Sequence, residues 1–202
     1  NPDTELYSIG PATIPIAYLT ISHVNFSRIT HPILEKLAAT TGETVELAVA
    51  GKGGAVVVDH VATSHPFKPN LPIGRVLRNL ANSAMKIFAA YGLEEERERM
   101  LSEHNNALTP HTITDPLQLR VEFKKIAETG LAFDLEEQDL GVCAVSAPVF
   151  GFDGEVKAAV TVVAPAERFR PENSKRNAEA VKATAVELSA YLRQWSSTVV
   201  MS

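Results

Sequence analysis

The stretch FDLEEQDLGVCAV, Phe133 to Val145, gathers the residues of this chain best suited to chemistry. It holds the carboxylates of Asp134, Glu136 and Glu137 and the only cysteine, Cys143. Neighbouring acids are raw material for general acid–base catalysis, which needs a proton donor or acceptor placed at one reacting group. Consecutive side chains on an extended chain point to opposite faces, so this run does not by itself aim two carboxyls at one point. A nucleophilic cysteine needs electropositive neighbours to hold its thiolate, and the local sequence supplies acids instead. Free cysteines are among the most buried residue types, so Cys143 is expected to be a small core residue on a strand. No catalytic residue is expected.

The other candidates for chemistry are weaker. His60, His65, His104 and His111 are dispersed, with no i,i+4 pair or paired-ligand spacing, so exposed loop positions are expected and no metal site. The run GKGG, Gly51 to Gly54, lacks the GK[ST]-to-helix context of a phosphate loop and sits between two apolar runs, which makes it a hairpin turn. One cysteine excludes a disulfide within the chain and any cysteine-based zinc finger. No cofactor is implied.

These residues must be positioned by a fold. The chain has 202 residues, of which 45% are hydrophobic and 21% charged, matching one soluble domain, or one domain with a short attachment. No apolar run nears the ~18 residues of a membrane span, and ATIPIAYLTI is interrupted by Pro15. The start, NPDTELYSIG, has neither the features of a secretory leader nor an initiator Met, as expected of a trimmed fragment. A net charge of −5 with scattered basic residues argues against this chain gripping nucleic acid by itself.

The pattern predicts a helix from Pro11 towards Phe26, then a second one capped by Thr30, with Ile33, Leu34 and Leu37 on its buried stripe and Gly42 at its end. ETVELAVA and AVVVDHVA form a hairpin. A Pro-rich loop leads to a helix, NSAMKIFAAYG, capped by Asn82 or Ser83, and a charged helix, LEEERERMLSEH, follows. Asp115 caps and Pro116 begins another helix, with Leu119, Phe123 and Ile126 buried. A short strand, LAFDLEE, precedes a second hairpin around GFDG. A long last helix turns Ala180, Ala183, Val186, Leu188 and Leu192 inward. This order is α+β with an antiparallel sheet.

Taken together, YSIG, ILEKLAATTGETVELAV, IGRVLRNLANSAMKIFAAY, GLAFDLEEQDLGVCAVSAPVF and GEVKAAVTVVAP stand in the order and spacing of one family. The chain resembles the effector-binding, C-terminal domain of the IclR family of bacterial transcription regulators, from LYSIG to LSAYL. The resemblance implies a GAF- or profilin-like fold: a curved antiparallel sheet flanked by helices, with N-terminal helices and a long C-terminal one. It implies that residues 1–26 are the linker and helix after a winged helix-turn-helix missing here, and 27–202 the effector-binding domain. It also implies a homodimer or tetramer in the cytoplasm, with DNA reached only through the missing domain and no membrane contact.

The resemblance places the pocket on four segments. Where the family reads Thr/Ser-Ala-x-Gly-Lys-Ala, this chain has Asn82, Ser83, Ala84, Met85, Lys86 and Ile87. A helix N-terminus there offers free N–H groups to a carboxylate, although helix capping explains Asn82 and Ser83 equally well. Met85 replaces a glycine and makes the site more apolar. Asp134 matches the pocket acid, while Glu136 and Glu137 match an acidic turn that is solvent-facing or structural. In the strand after Gly141, Val142 and Ala144 take the pocket positions; the family's cysteine maps onto Ala144, and Cys143 faces the other way. Thr161 and Val163 stand where the family often has Ser-x-Ser. The ligand-binding set is thus Asn82, Ser83, Met85, Ile87, Asp134, Val142, Ala144, Thr161 and Val163, with Ile73, Leu77 and Phe88 as further lining or core. Three apolar replacements imply a small-molecule effector larger than a keto acid, a carboxylate with an apolar or aromatic body.

The resulting expectation is a sensing and oligomerisation domain whose ligand alters the operator affinity of an attached reading head. Two alternatives stand beside it: a structural dimerisation module with a vestigial pocket, and a small-molecule enzyme on the same scaffold.

Overall fold

The computed structural model of the protein describes residues 14–51, 54–66, 68–69, 72–103 and 105–199, with side chains over 28–193 of these. Helix α1 (Ile14–Thr41) leads into the hairpin β1 (Thr44–Gly51) and β2 (Gly54–Val61). The short strand β3 (Val76–Leu77) precedes α2 (Ser83–Tyr91), α3 (Glu94–Glu103) and α4 (Pro116–Thr129). Then come β4 (Ala132–Leu135), β5 (Val142–Phe150), β6 (Val156–Pro165) and α5 (Pro171–Val199). The six strands form one antiparallel sheet in the order β3-β2-β1-β6-β5-β4.

Period-two alternation sorts each strand into two faces. On one, Val45, Leu47, Cys143, Val145, Val160 and Val162 meet Ile33, Leu34 and Leu37 of α1 and Val181, Ala185 and Leu188 of α5. On the other, Ala48, Val57, Ala132 and Ala159 meet Met85, Ile87 and Phe88 of α2 and Leu119, Phe123 and Ile126 of α4. Each fully buried Val, Leu, Ile, Phe or Met contributes about 1.5–3 kcal/mol relative to exposure. The expected α+β architecture, an antiparallel sheet flanked by helices, is the one observed.

Three local expectations are corrected. The two N-terminal helices are one, with Pro32 inside it and Thr30 buried in its interior instead of capping it. A proline there forfeits a hydrogen bond at about 3 kcal/mol, which burial of Ile33, Leu34 and Leu37 against the sheet offsets. The Pro11 start proposed for the first helix lies outside the described residues. In α5 the buried stripe runs through Ala178, Val181, Ala185 and Leu188, while Ala183 and Val186 are exposed. Buried Asn177, Thr184 and Ser189 share the true stripe and disguise it. Ser189 belongs there because its hydroxyl donates to Ala185 O (2.6 Å) and accepts the Phe150 N–H (2.9 Å). Finally, the loop before α2 contains an edge strand, β3, against β2. Gly54 permits this pairing: a Cβ there would stand 2.2 Å from Leu77 O, at a φ of +152°.

Candidate functional site

Strand register builds the site. Across the sheet, Glu46 is paired with Thr161, Thr161 with Ser146 and Ser146 with Ala132. Two residues further along lies the row Thr44, Val163, Ala144 and Asp134. Even spacing puts both rows on the face opposite α1 and α5. Over the small side chains of Ala144 and Val163 in the second row lies a cavity of about 230 Å³. Val142, Ala144 and Val163 form its apolar floor. Asn82 enters from the start of α2, Arg75 and Pro69 from the preceding segment, and Gln138 and Asp139 from the acidic turn; Glu46 and Asp134 bring buried carboxyls to its edge.

Each polar wall residue has a definite local role. Asn82 caps α2 from extended backbone, its Oδ1 accepting the N–H groups of Ala84 (2.9 Å) and Met85 (3.4 Å). Asp134 Oδ1 accepts the N–H groups of Glu137 (2.8 Å) and Gln138 (3.2 Å), which closes the acidic turn. Burial pushes the Asp134 carboxyl up to about 7, against the downward pull of those two N–H groups. Glu46, only 1% exposed, is also raised by burial, with Arg75 pulling the other way. One Arg75 nitrogen, Nη2, donates to both Glu46 oxygens, at 3.3 and 3.0 Å.

The turn itself is fastened from beneath. Lys86, fully buried in α2, donates to Phe133 O (2.8 Å) and to Glu137 Oε1. Burial raises the Glu137 carboxyl and the Lys86 ammonium lowers it. Thr109 donates to Glu136 O (2.7 Å) and Thr112 to Glu137 O (2.6 Å). Glu136 takes a φ of 60°, rare for a residue with a side chain, and its carboxylate accepts the Gly141 N–H at 2.7 Å. Gln138 and Asp139 are thereby presented at a fixed height over the floor.

Of the nine residues predicted to bind ligand, the structure brings Asn82, Asp134, Val142, Ala144 and Val163 to this cavity. Ser83 and Thr161 lie outside its lining, linked through Ser146 in a buried chain of hydroxyls: Ser83 to Ser146 and Ser146 to Thr161, each 2.7 Å. Met85 and Ile87 are fully buried in the core between α2 and the sheet, as are Leu77 and Phe88 nearby, while Ile73 is exposed. Five lining residues were not singled out: Glu46, Pro69, Arg75, Gln138 and Asp139. Glu46 carried a readable signal, a lone charge between apolar residues in ETVELAVA; Arg75, in a loop with no period, carried none.

Cys143 lies on the opposite face in the α1–α5 core, where burial pushes its thiol up to about 11. Among the described residues no cluster of three or more His, Cys, Asp or Glu is placed to hold a metal ion. Nor is any described helix long and apolar enough to cross a membrane.

Residues 18–190 match the family described as "Bacterial transcriptional regulator IclR C-terminal". The chain is similar to the transcriptional repressor IclR of Escherichia coli K12, at 29% identity over 189 residues, covering 92% of this chain and 69% of that protein. It is similar in structure to a putative IclR-type transcriptional regulator from Silicibacter sp. TM1040, with a TM-score of 0.85 and 26% identity, covering 92% of this chain and 74% of that one. An IclR homologue from Microbacterium hydrocarbonoxydans, solved in complex with 4-hydroxybenzoate, shares the fold at a TM-score of 0.76 and 20% identity, covering 84% of this chain and 68% of its own.

Proposed function

Because the chain belongs to the IclR family of bacterial transcriptional regulators, matching the family's C-terminal part over residues 18–190, we propose that this cavity senses a small-molecule effector for such a regulator. One observation carries the reading: two carboxyls, Glu46 and Asp134, are buried at the edge of a cavity with an apolar floor. Buried carboxyls disfavour the folded state, and strongly displaced ones gather at functional sites. A purely structural module would gain stability from filling such a space.

In this reading residues 1–26 lead from a winged helix-turn-helix into a sensing and oligomerisation unit, 27–202, in a cytoplasmic homodimer or tetramer. DNA is met only through that reading head. An effector shifts operator affinity by the difference between its affinities for two arrangements of the protomers. The unit is read as non-enzymatic, because Cys143 lies in the opposite core and the acids are tied to Arg75, Lys86 and backbone N–H groups. Val142, Ala144 and Val163 suit the apolar or aromatic body of an effector. A carboxylate at its other end, the expectation from the resemblance, would meet the carboxyls of Glu46 and Asp134.

A thermal-shift screen of this chain against small carboxylates, aromatic acids, alcohols and acyl compounds tests the sensor reading. A true effector raises the melting temperature with concentration, and Asp134→Ala abolishes the rise. If no compound acts through the cavity, the dimerisation-module alternative takes its place.

A further inference from the structure

We propose that the effector is not an anion but a small neutral molecule whose polar end carries a hydroxyl, received between the carboxyls of Asp134 and Glu46 and the donors of Arg75 and Asn82. This rests on the sensor reading above and concerns the same cavity.

The first argument is the charge of the lining. Among the described lining residues three carboxyls, Glu46, Asp134 and Asp139, stand beside one cation, Arg75, which is already paired with Glu46. A carboxylate entering this space would bring a further negative charge beside buried acids, where low polarisability strengthens repulsion.

The second is that most of the donors an anion would use are taken. The α2 N-terminus is the natural seat for a carboxylate, but the N–H groups of Ala84 and Met85 are bonded to Asn82 Oδ1. The nearby hydroxyls of Ser83, Ser146 and Thr161 are joined to one another. The Lys86 ammonium is held by Phe133 O and Glu137, and the Gln138 amide donates to Asp139 Oδ2 at 3.3 Å.

The third is what remains. Asp134 and Glu46 offer acceptor oxygens. Arg75 Nε is buried without a hydrogen-bond partner, and Asn82, its oxygen taken by the cap, keeps its amide N–H groups. A hydroxyl donates one hydrogen bond and accepts others, so it matches both halves of this set. A protonated amine would answer only the acceptors and a carboxylate only the donors. With Asp134 poised near neutrality, a hydroxyl can accept from its protonated form and donate to its ionised form. The volume, about 230 Å³, lies below the ~300–1,000 Å³ typical of drug-sized pockets, so the molecule is small.

Benzyl alcohol, benzylamine and benzoate share an apolar body and differ at the polar end. Their dissociation constants for this chain, read by amide chemical-shift titration, are the test. They are accompanied by a fragment set with neutral, cationic and anionic members of similar size. The proposal expects neutral hydroxyl compounds to move the amides of Gln138, Val142 and Val163, with benzyl alcohol at least about tenfold tighter than benzoate. Above the Asp134 value of about 7, where the group is ionised, Asp134→Asn should narrow that gap by removing one negative charge while retaining an acceptor for the turn. Benzoate and anionic fragments binding the cavity more tightly would overturn the hydroxyl assignment and leave the sensor reading standing. Amines outranking alcohols would also overturn it. Failure of every member to move the cavity amides would overturn the sensor reading itself, and this assignment with it.

Discussion

The ammonium of Lys86 and the carboxylate of Glu137 meet inside the protein, 51 residues apart in sequence and almost fully enclosed. The pair joins α2 to the acidic turn, so it fixes both walls of the cavity at once. Burying two charges is costly, and their attraction with the extra bond to Phe133 O offsets that cost. Removing one partner strands the other. Lys86→Met should therefore lose about 3–5 kcal/mol in urea unfolding, and Lys86→Met with Glu137→Leu should recover most of it. Equal losses for the single and double variants would sink this account.

The Asp134 carboxyl makes stability depend on pH. Its folded value lies near 7 against an ordinary 3.8, because burial disfavours the charge. Below pH ~4 the group is protonated in both states, so its contribution is whole. From there to about 7 the unfolded chain ionises while the folded one holds its proton, and stability falls as pH rises. Glu46 and Glu137 are raised as well and act in the same direction. Asp134→Asn should flatten the decline, with a gain at pH ~8 bounded by roughly 4 kcal/mol at ~1.36 kcal/mol per pH unit. Denaturant melts from acid to mildly alkaline pH measure this; parallel curves for the two proteins would refute it.

Filling the cavity separates sensing from folding. Ala144→Leu projects extra carbons from the floor into the open space, so its stability loss should sit at or below the low end of the ~1–3 kcal/mol usual for overpacking. Ligand-induced thermal shifts should vanish in the same variant. A retained shift would place the ligand elsewhere on the protein.

Cys143 is only 6% exposed, and its thiol is pushed up to about 11. It should react with an aromatic disulfide only as fast as the protein opens, and in urea the rate should climb with the unfolded fraction. Rapid labelling of the native protein would contradict its place in the core.

Much of this was readable along the chain. The two hairpins, the Asp115 cap, a cap for α2 at Asn82 or Ser83 (Asn82 in the structure) and the placing of Cys143 and Ala144 on opposite faces follow from turn chemistry and period-two arithmetic. What escaped needed partners distant in sequence. Glu46 and Arg75 are separated by 29 residues, and only the pairing of β2 with β1 brings the segment carrying Arg75 alongside. The α5 stripe hid behind Ser189, whose hydroxyl is buried because Phe150 needs an acceptor. Met85 fell at a pocket position by resemblance, yet the turn of α2 carries it into the core with Ile87.

The central strands alternate between two faces, with Cys143, Val145 and Val162 on one and Ala144, Ser146 and Val163 on the other. Adjacent codons therefore answer to separate selective demands. Under the proposed function, replacements at Ala144 or Val163 reshape the cavity floor while the α1–α5 side keeps its contacts. Related chains can in this way diverge towards different signals by drift at a few alternate positions, with no intermediate that must give up its fold.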